Sequence, residues 1–423
     1  MKLRFSHKNA LVASAELSLF GRRLTKEIAA MQNVKGYDDD RASISLPDDK
    51  SYHQVVRTMV NEKMRLKPSL IVVVGIGGSN LGTIAVQEAV LGKLYNQLNP
   101  KVKILYADTV DSGNISSVVQ LVDKELSSGG RVMVNVVSKS GTTTETIANF
   151  EVLLGVLMKH KKDYRKYVVA TTDRESKLWG LAQEKGFATL EIPEKVGGRY
   201  SVFSAVGLFP LGMLGIDTGK LLKGASDMEK LCLHDDPKKN PAAISAIVHY
   251  DNYKKRRRIS DTFLFGNDLE SVGKWYRQLM GESLGKEGKG ITPTFSVGST
   301  DLHSVGQLYL GGPRDKLTTF ISVGSVKKVK VPSLRFRVVT GVEGNDLSGI
   351  MEAILSGVKA AYRKSKLPYM EIKLHDLGEE AIGALMQMKM IEMMYLGCLL
   401  KVNPFNQPDV ESYKKETRRL LRK

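Results

Sequence analysis

The chain has 423 residues, a length typical of two or three domains, and its 42% hydrophobic share is enough to bury a sizeable core. Its two cysteines, Cys232 and Cys398, exclude a disulfide framework and a cysteine metal cluster, and they fit a reducing compartment. No apolar run approaches the roughly 20 residues that span a membrane, so we expect no membrane partner and a cytoplasmic location.

The formal net charge of +18 raises nucleic-acid binding as an alternative. The densest basic runs lie at Lys159–Lys162, Lys254–Arg258 and Arg418–Lys423, beside predicted helices or at a terminus and without interleaved aromatic residues. Such runs are typical of a solvated basic face, and a positive surface also steers an anionic substrate inward. We therefore expect a small anionic ligand and no nucleic-acid partner.

The predicted elements begin with a mostly helical segment, residues 1–65, whose first stretch is predicted as an amphipathic helix rather than a signal peptide. Short apolar runs rich in β-branched residues then alternate with helical stretches, which predicts a doubly wound parallel sheet. The strands predicted in this half are Leu70–Val74, Val102–Tyr106, Val132–Val137 and Tyr167–Thr172. We place the first domain at residues 66–235, with its boundary in the polar stretch Lys230–Asn240.

The alternation of strands and helices restarts in a second predicted domain, residues 236–400. Its predicted strands are Thr262–Phe265, Leu317–Val323, Leu334–Val339 and Tyr369–Leu374, and its predicted helices are Leu269–Leu279, Leu347–Arg363 and Gly378–Leu400. The last of these helices carries a methionine-rich face, which indicates core packing. A final predicted helix, within residues 401–423, completes an α/β protein with two mostly parallel sheets.

The loop Gly75–Gly82, with the sequence GIGGSNLG, joins the first strand to a helix. Its glycines allow backbone N–H groups to approach a ligand, and a helix N-terminus favours an anion. The dinucleotide-binding pattern fails here, because Asn80 stands where the third glycine is required. Gly78 and Ser79 are therefore candidate anion ligands, and a tight strand-to-helix turn is the alternative interpretation.

The segment Ser138–Thr146, with the sequence SKSGTTTET, follows the third strand. Its hydroxyls, with backbone N–H groups at a helix start, can surround a phosphate monoester. The spacing is not that of a P-loop, so we expect a small phosphorylated metabolite rather than a nucleoside triphosphate. Plain helix capping, with Glu145 completing a capping box, is the alternative. The candidate phosphate ligands are Ser138, Lys139, Ser140, Thr142 and Thr143.

Four later residues could carry chemistry. Glu282 lies in MGESLGK after an amphipathic stretch, and a carboxylate base facing a sugar phosphate can move a proton between adjacent carbons. Arg199 follows two glycines and can stabilise a developing oxyanion. His303 can transfer protons near neutral pH, and Lys414 lies near the start of the last helix. Each alone would more often be a structural histidine or a surface charge.

Together these segments resemble the phosphoglucose isomerase family from about Ile71 to Lys414. The matching segments are VVGIGGSNLG, SKSGTTTET, VGGRYSVFSAVG, WYRQLMGESLGK, GSTDLHSVGQL and NPFNQPDVESYK. GESLGK and VGGRYS are specific to this family, whereas the other loops indicate the wider class of sugar-isomerase (SIS) domains. The resemblance implies two SIS domains, each an αβα sandwich, and a homodimer whose active site lies near the subunit interface.

The resemblance also implies the reaction, the interconversion of glucose 6-phosphate and fructose 6-phosphate through a cis-enediolate, with neither metal nor cofactor. It makes Glu282 the base that carries a proton between C1 and C2, and Arg199 the group that stabilises the enediolate. It assigns ring opening to His303, contributed by the neighbouring subunit, and to Lys414, and it makes Gln407 a substrate contact.

Two rival functions are compatible with parts of the sequence. A non-catalytic SIS protein that binds a sugar phosphate and regulates a partner would need the phosphate loops but not Glu282, His303 and Lys414 together. A nicotinamide-dependent dehydrogenase is disfavoured by the broken dinucleotide pattern. One departure from the family is Ser140, where many relatives have threonine; the serine keeps the hydroxyl, so we expect phosphate binding to survive.

Overall fold

The computed structural model describes residues 2–325, 327–332 and 339–421. The strands are β1 Leu3–Ser6, β2 Leu70–Val74, β3 Lys103–Ala107, β4 Val132–Val137, β5 Val168–Thr172, β6 Ala188–Glu191, β7 Ile259–Phe265, β8 Thr292–Val297, β9 Lys316–Val323 and β10 Tyr369–Leu374. The helices are α1 Ser14–Gln32, α2 Lys50–Met64, α3 Leu81–Leu91, α4 Ser112–Ser127, α5 Thr144–His160, α6 Lys177–Lys185, α7 Ala205–Met213, α8 Thr218–Cys232, α9 Pro241–Lys254, α10 Glu270–Leu284, α11 Gly306–Gly311, α12 Leu347–Lys364, α13 Glu379–Leu400 and α14 Val410–Leu420.

The chain forms two compact units, each with its own sheet. Unit I is Ala30–Ser226, and unit II combines Met1–Ala29 with Asp227–Lys423. The predicted division instead treats residues 1–65 as a separate helical segment and residues 401–423 as a C-terminal one. In the structure, α1 lies mostly with unit II and α2 lies in unit I.

The sheet of unit I is parallel throughout, with the strand order β3-β2-β4-β5-β6. Every residue of its central strands β2 and β4 is buried, as is typical of a parallel strand covered by helices on both faces. Because neighbouring parallel strands end at the same edge, the loops that follow β2 and β4 lie side by side.

The sheet of unit II has the order β1-β10-β9-β7-β8. Its strands are parallel except for β1, which pairs antiparallel with β10 through the register Leu3↔Leu374. An aromatic core lies on this sheet, with edge-to-face ring contacts around Phe320, for example to Tyr362 at 5.1 Å and Tyr369 at 5.4 Å between centroids. Such contacts add specific geometry to a large buried apolar area.

Helix α13 is buried along almost its whole length, and its methionines lie in the core, as predicted from the sequence. The same helix buries two opposite charges. Glu392 accepts hydrogen bonds from the Tyr276 hydroxyl at 2.5 Å and the Lys389 ammonium at 2.8 Å, and the His249 ring lies 3.4 Å away. Burial opposes ionisation of Glu392, but the charges of Lys389 and His249 outweigh it and lower its pKa to about 2.

Most of the predicted strands and long helices occur within a few residues of their expected bounds. The N-terminus differs, since β1 occupies Leu3–Ser6 and the first helix begins only at Ser14. Strands β6 and β8 and helices α4, α7 to α9 and α11 are additional to the predicted elements. The predicted strand Leu334–Val339 lies, apart from Val339, outside the described residues.

Candidate active site

Two turns of unit I are in close contact at Gly78. The turn Gly77–Ser79 follows β2, and the turn Gly198–Tyr200 carries Arg199. At Gly78 an added Cβ would lie 2.6 Å from the backbone nitrogen of Arg199, so only glycine allows this approach. The Ser201 hydroxyl donates to the Gly78 carbonyl at 3.3 Å, which fixes the two turns together. The predicted anion loop and the predicted arginine are therefore neighbours.

Arg199 is buried, with 3% of the residue exposed, and its guanidinium lies 5.4 Å from the centroid of the Tyr200 ring. A lone arginine after two glycines would usually be a surface charge. Its burial excludes that interpretation, since arginine is rarely buried without partners. Arg199 can therefore present a fixed positive charge beside the Gly77–Ser79 turn.

The second loop of unit I follows β4 and leads into α5. The hydroxyls of Ser138 and Thr143 are 3.1 Å apart, and the Ser140 hydroxyl accepts hydrogen bonds from the backbone nitrogen and hydroxyl of Thr142, at 3.3 and 3.2 Å. Thr143 is the N-cap of α5, yet in the described part of the chain its side chain makes no capping hydrogen bond. Plain capping therefore does not explain this hydroxyl cluster.

Lys139 adds charge to the hydroxyl loop. Its side chain is half-buried. Burial lowers the pKa of its ammonium, while Asp173 and Glu194 act in the opposite direction. The loop thus combines hydroxyls, a lysine and the N-terminus of α5, a combination that suits a phosphate monoester.

Two supporting residues of this loop escaped the sequence analysis. The Thr172 hydroxyl, at the end of β5, donates to the Ser138 carbonyl at 2.6 Å and is 2.6 Å from the Ser176 hydroxyl. The sequence signal for Thr172 was its position at the carboxyl end of β5, the strand that pairs with β4. These buried bonds hold the backbone of the loop while Ser140 and Thr142 remain more accessible.

In unit II, Glu282 lies in the last turn of α10 and is half-buried. The helix predicted over Leu269–Leu279 continues through Gly281 to Leu284. The Gln278 amide, one turn earlier, donates to the Glu282 carboxylate at 3.1 Å. The carboxylate is therefore held by a regular element and by an amide donor, with partial exposure that would let a substrate reach it.

His303 is exposed on the turn Thr300–His303, after β8. Asp301 anchors this turn, because its carboxylate accepts from the backbone nitrogen of Val297 at 2.7 Å and from the Ser304 hydroxyl at 2.8 Å. The turn therefore holds His303 at the carboxyl end of β8.

The histidine and the glutamate of one chain lie at opposite ends of β8. Gly281, beside Glu282, packs against Pro293 at the start of this strand, with an added Cβ 3.7 Å from the proline ring. His303 follows the other end, and a six-residue strand is roughly 17 Å long. Unit II of one chain therefore does not bring Glu282 and His303 together.

The last two candidates lie near the C-terminus. Gln407 is exposed just before α14, and Lys414 is half-buried in the second turn of that helix. The Lys414 ammonium donates to the Glu411 carboxylate at 2.8 Å. The helix spacing of three residues explains this pair, which the sequence analysis did not note.

Within the described ranges, no group of three or more His, Cys, Asp or Glu side chains is arranged to hold a metal ion. The described helices also include none that combines the length and apolar character needed to cross a membrane.

Comparison with known proteins gives a consistent family. The phosphoglucose isomerase family model matches residues 54–313. The glucose-6-phosphate isomerase of Methanocaldococcus jannaschii is 35% identical over 361 residues, which are 83% of this chain and 84% of that protein. Among solved structures, a hypothetical protein from Thermus thermophilus has a TM-score of 0.89 and 28% identity, with 99% of both chains covered.

A glucose-6-phosphate isomerase from Chlamydia trachomatis shares the fold at a TM-score of 0.85 and 20% identity, covering 99% of this chain and 88% of that one. The predicted fold class is confirmed: both units are α/β with mostly parallel sheets, and the chain shares this fold with the Chlamydia trachomatis structure.

Proposed function

The chain belongs to the phosphoglucose isomerase family, and we propose that Glu282 is the base with which it interconverts glucose 6-phosphate and fructose 6-phosphate. This reaction is a step of glycolysis and gluconeogenesis. The observation that carries the assignment to Glu282 is its setting, a half-buried carboxylate on the last turn of α10, held by the Gln278 amide. A base fixed on a helix keeps its geometry through a reaction that requires it to act twice.

The substrate phosphate binds the hydroxyl loop of unit I in this proposal. Ser138, Ser140, Thr142 and Thr143 supply hydroxyls, and Lys139 supplies charge. The neighbouring turn adds the backbone of Gly78 and the Ser79 hydroxyl. The α5 N-terminus also favours an anion.

Proton transfer follows ring opening, which exposes the C1 carbonyl of glucose 6-phosphate. Glu282 removes the proton from C2, the electron pair forms the C1–C2 double bond, and the carbonyl oxygen becomes an enediolate oxygen. A proton then passes from the C2 hydroxyl to the C1 oxygen, and the same carboxylate returns its proton to C1 as the C2 carbonyl of fructose 6-phosphate forms. Arg199, buried and fixed beside the Gly77–Ser79 turn, offsets the negative charge on the enediolate.

Ring opening falls to His303 and Lys414, with Gln407 as a substrate contact. We propose that the protein is a homodimer and that each active site takes His303 from the neighbouring subunit. Two observations support this: His303 is exposed, and within one chain β8 lies between it and Glu282. The hydrogen bond of Lys414 to Glu411 orients its ammonium, which can donate a proton to the ring oxygen.

We place this activity in the cytoplasm. Cys232 and Cys398 are both free thiols, which fits a reducing compartment. Sugar-phosphate substrates carry a charge that prevents free passage across membranes, so enzyme and substrate share a compartment.

The test is the substitution Glu282→Gln, which keeps shape and removes the base. We expect turnover of fructose 6-phosphate, followed by a coupled assay for glucose 6-phosphate, to fall by about 10²–10⁴-fold. Fructose 6-phosphate binding, measured by calorimetry, should change little, because the phosphate loop is intact. The matched control is Glu287→Gln, an exposed glutamate five residues on that pairs with Lys289 at 3.3 Å. Near-normal turnover in Glu282→Gln would refute the assignment.

The same turnover assay tests the rival function, that of a non-catalytic regulator. A non-catalytic regulator would bind fructose 6-phosphate with no turnover in the unmodified protein. Turnover that depends on Glu282 and not on Glu287 excludes that alternative.

A further inference from the structure

Lys286, the last residue of the MGESLGK segment, is buried, with 7% of the residue exposed. Its ammonium donates to the carbonyl of Ser283 at 3.0 Å, in the last turn of α10. It also donates to the carbonyl of Asn403, 117 residues further along the chain. A buried ammonium retains its charge only where polar groups replace its water shell, so these carbonyls define its position.

The backbone of Lys286 is fixed by a tight hairpin turn. Lys286 and Lys289 exchange backbone hydrogen bonds at 3.1 and 2.8 Å. Between them Glu287 and Gly288 have φ angles of 54° and 69°, the left-handed pair that a two-residue hairpin requires. The side chain of Lys286 therefore starts from a rigid base directly after the helix that carries Glu282.

The other partner, Asn403, lies on a segment that is itself fixed. Pro404 packs on α13, where an added Cβ on Gly397 would lie 3.0 Å from the proline ring. The Asn403 side chain accepts from the backbone nitrogen of Phe405 at 2.8 Å. Further along, the same segment reaches Gln407.

We propose that Lys286 is a positioning residue that holds the segment leading to Gln407 and Lys414 against the end of the helix that carries Glu282. It joins the base to the ring-opening lysine without touching substrate. The proposal rests on the proposed roles of Glu282 and Lys414. The contacts of Lys286 with Ser283 and Asn403, however, can be tested whether or not those roles hold.

The substitution Lys286→Met keeps the length and apolar stem of the side chain and removes the donors to Ser283 and Asn403. We expect kcat to fall by about 10- to 100-fold, because a displacement near 1 Å has that effect on oriented groups. KM should change less than kcat, since the phosphate loop belongs to unit I. The control is Lys274→Met on the same helix, a lysine 42% exposed and paired with Glu270 at 2.8 Å, which should leave kcat unchanged.

Two further measurements separate positioning from general destabilisation. Amide hydrogen exchange of peptides spanning residues 403–414 should accelerate in Lys286→Met, while peptides from β2 and β4 keep their protection. In a double-mutant cycle with Lys414→Met, the combined loss of kcat should be smaller than the product of the single losses, because both changes affect one group.

If Lys286→Met folds poorly, chemical rescue of a cysteine variant provides a second test. In Lys286→Cys, alkylation with bromoethylamine rebuilds a side chain of lysine length and should restore most of kcat, with the unmodified protein treated in parallel. The proposal is overturned if kcat of Lys286→Met is within twofold of the unmodified enzyme, if exchange of residues 403–414 is unchanged, or if the losses multiply. Activity in Glu282→Gln would instead refute the proposed function, and the exchange data would still decide the role of Lys286.

Discussion

Gly78 offers a direct test of the contact between the two turns of unit I. In Gly78→Ala the new Cβ would lie 2.3 Å from the Gly198 carbonyl carbon and 2.6 Å from the Arg199 nitrogen, whereas ordinary contacts of a Cβ begin at 3.4 Å. The obstructing atoms are backbone and cannot rotate away. The turns must therefore separate by about 1 Å, the difference between these distances.

This separation should affect both stability and activity. Overpacking of a close contact costs about 1–3 kcal/mol of unfolding free energy. Because the displaced turns carry Ser79 and Arg199, a shift near 1 Å between them should also lower kcat/KM by about 100-fold. We expect the larger relative effect on kcat, since Arg199 acts on the enediolate rather than on the bound substrate.

The assay is the coupled conversion of fructose 6-phosphate, alongside chemical denaturation of the same preparation. The matched control is Gly155→Ala in α5, where an added Cβ has no atom within 4 Å among the described residues. This change should stabilise unit I by about 0.5–1 kcal/mol and leave activity unaltered, because alanine favours a helix interior. If Gly78→Ala kept the kcat of the unmodified enzyme, the reasoning from this contact would be refuted.

Two further predictions concern single charges of unit II. Lys414→Met should lower turnover by about 10²–10⁴-fold. The unfolding free energy should change by less than about 1 kcal/mol, because the lysine side chain of the ion pair is 40% exposed. A loss of stability large enough to account for the loss of turnover would contradict this. Glu392→Gln should destabilise by about 3–5 kcal/mol, because it leaves Lys389 buried without its negatively charged partner. Since the folded pKa of Glu392, about 2, lies below its ordinary 4.5, its contribution is present above pH 4.5 and is lost as the pH falls toward 2. The unfolding free energy, measured by urea titration at several pH values in that range, should therefore fall less steeply with decreasing pH in the variant than in the unmodified protein. An equally steep fall in the variant would contradict this contribution of Glu392.

The strands of unit I could be predicted because β2 and β4 are continuous apolar runs rich in β-branched residues, buried on both faces. Strand β8 could not, since Pro293 interrupts its pattern; as an edge strand it tolerates a residue that cannot donate to the ladder. Helix α9 is buried on nearly all sides and so lacks the amphipathic period that marks a helix. Strand β1 has four residues and depends on pairing with β10, far along the chain.

At the candidate site, the residue types could be read from the sequence, but the contacts that hold them could not. The hydroxyl cluster after β4 was visible as composition, whereas the support of its backbone by Thr172 depends on a neighbouring strand. The predicted helix Leu269–Leu279 stops before Glu282, whereas the structure extends α10 through it. Lys286 was named only within the GESLGK segment, since its partner Asn403 is remote in sequence.

Several side chains that face the proposed substrate are exposed or half-buried, while the groups that hold their backbone are buried; Ser138 and Arg199 are themselves buried. Ser140 is exposed, but the loop rests on buried Ser138 and Thr172. Glu282 is half-buried, and buried Lys286 follows it within the same motif. An active site needs groups that water and substrate can reach, and also positions that vary by much less than about 1 Å. Buried hydrogen bonds behind accessible side chains meet both conditions, because the low local dielectric strengthens each bond and makes its loss costly.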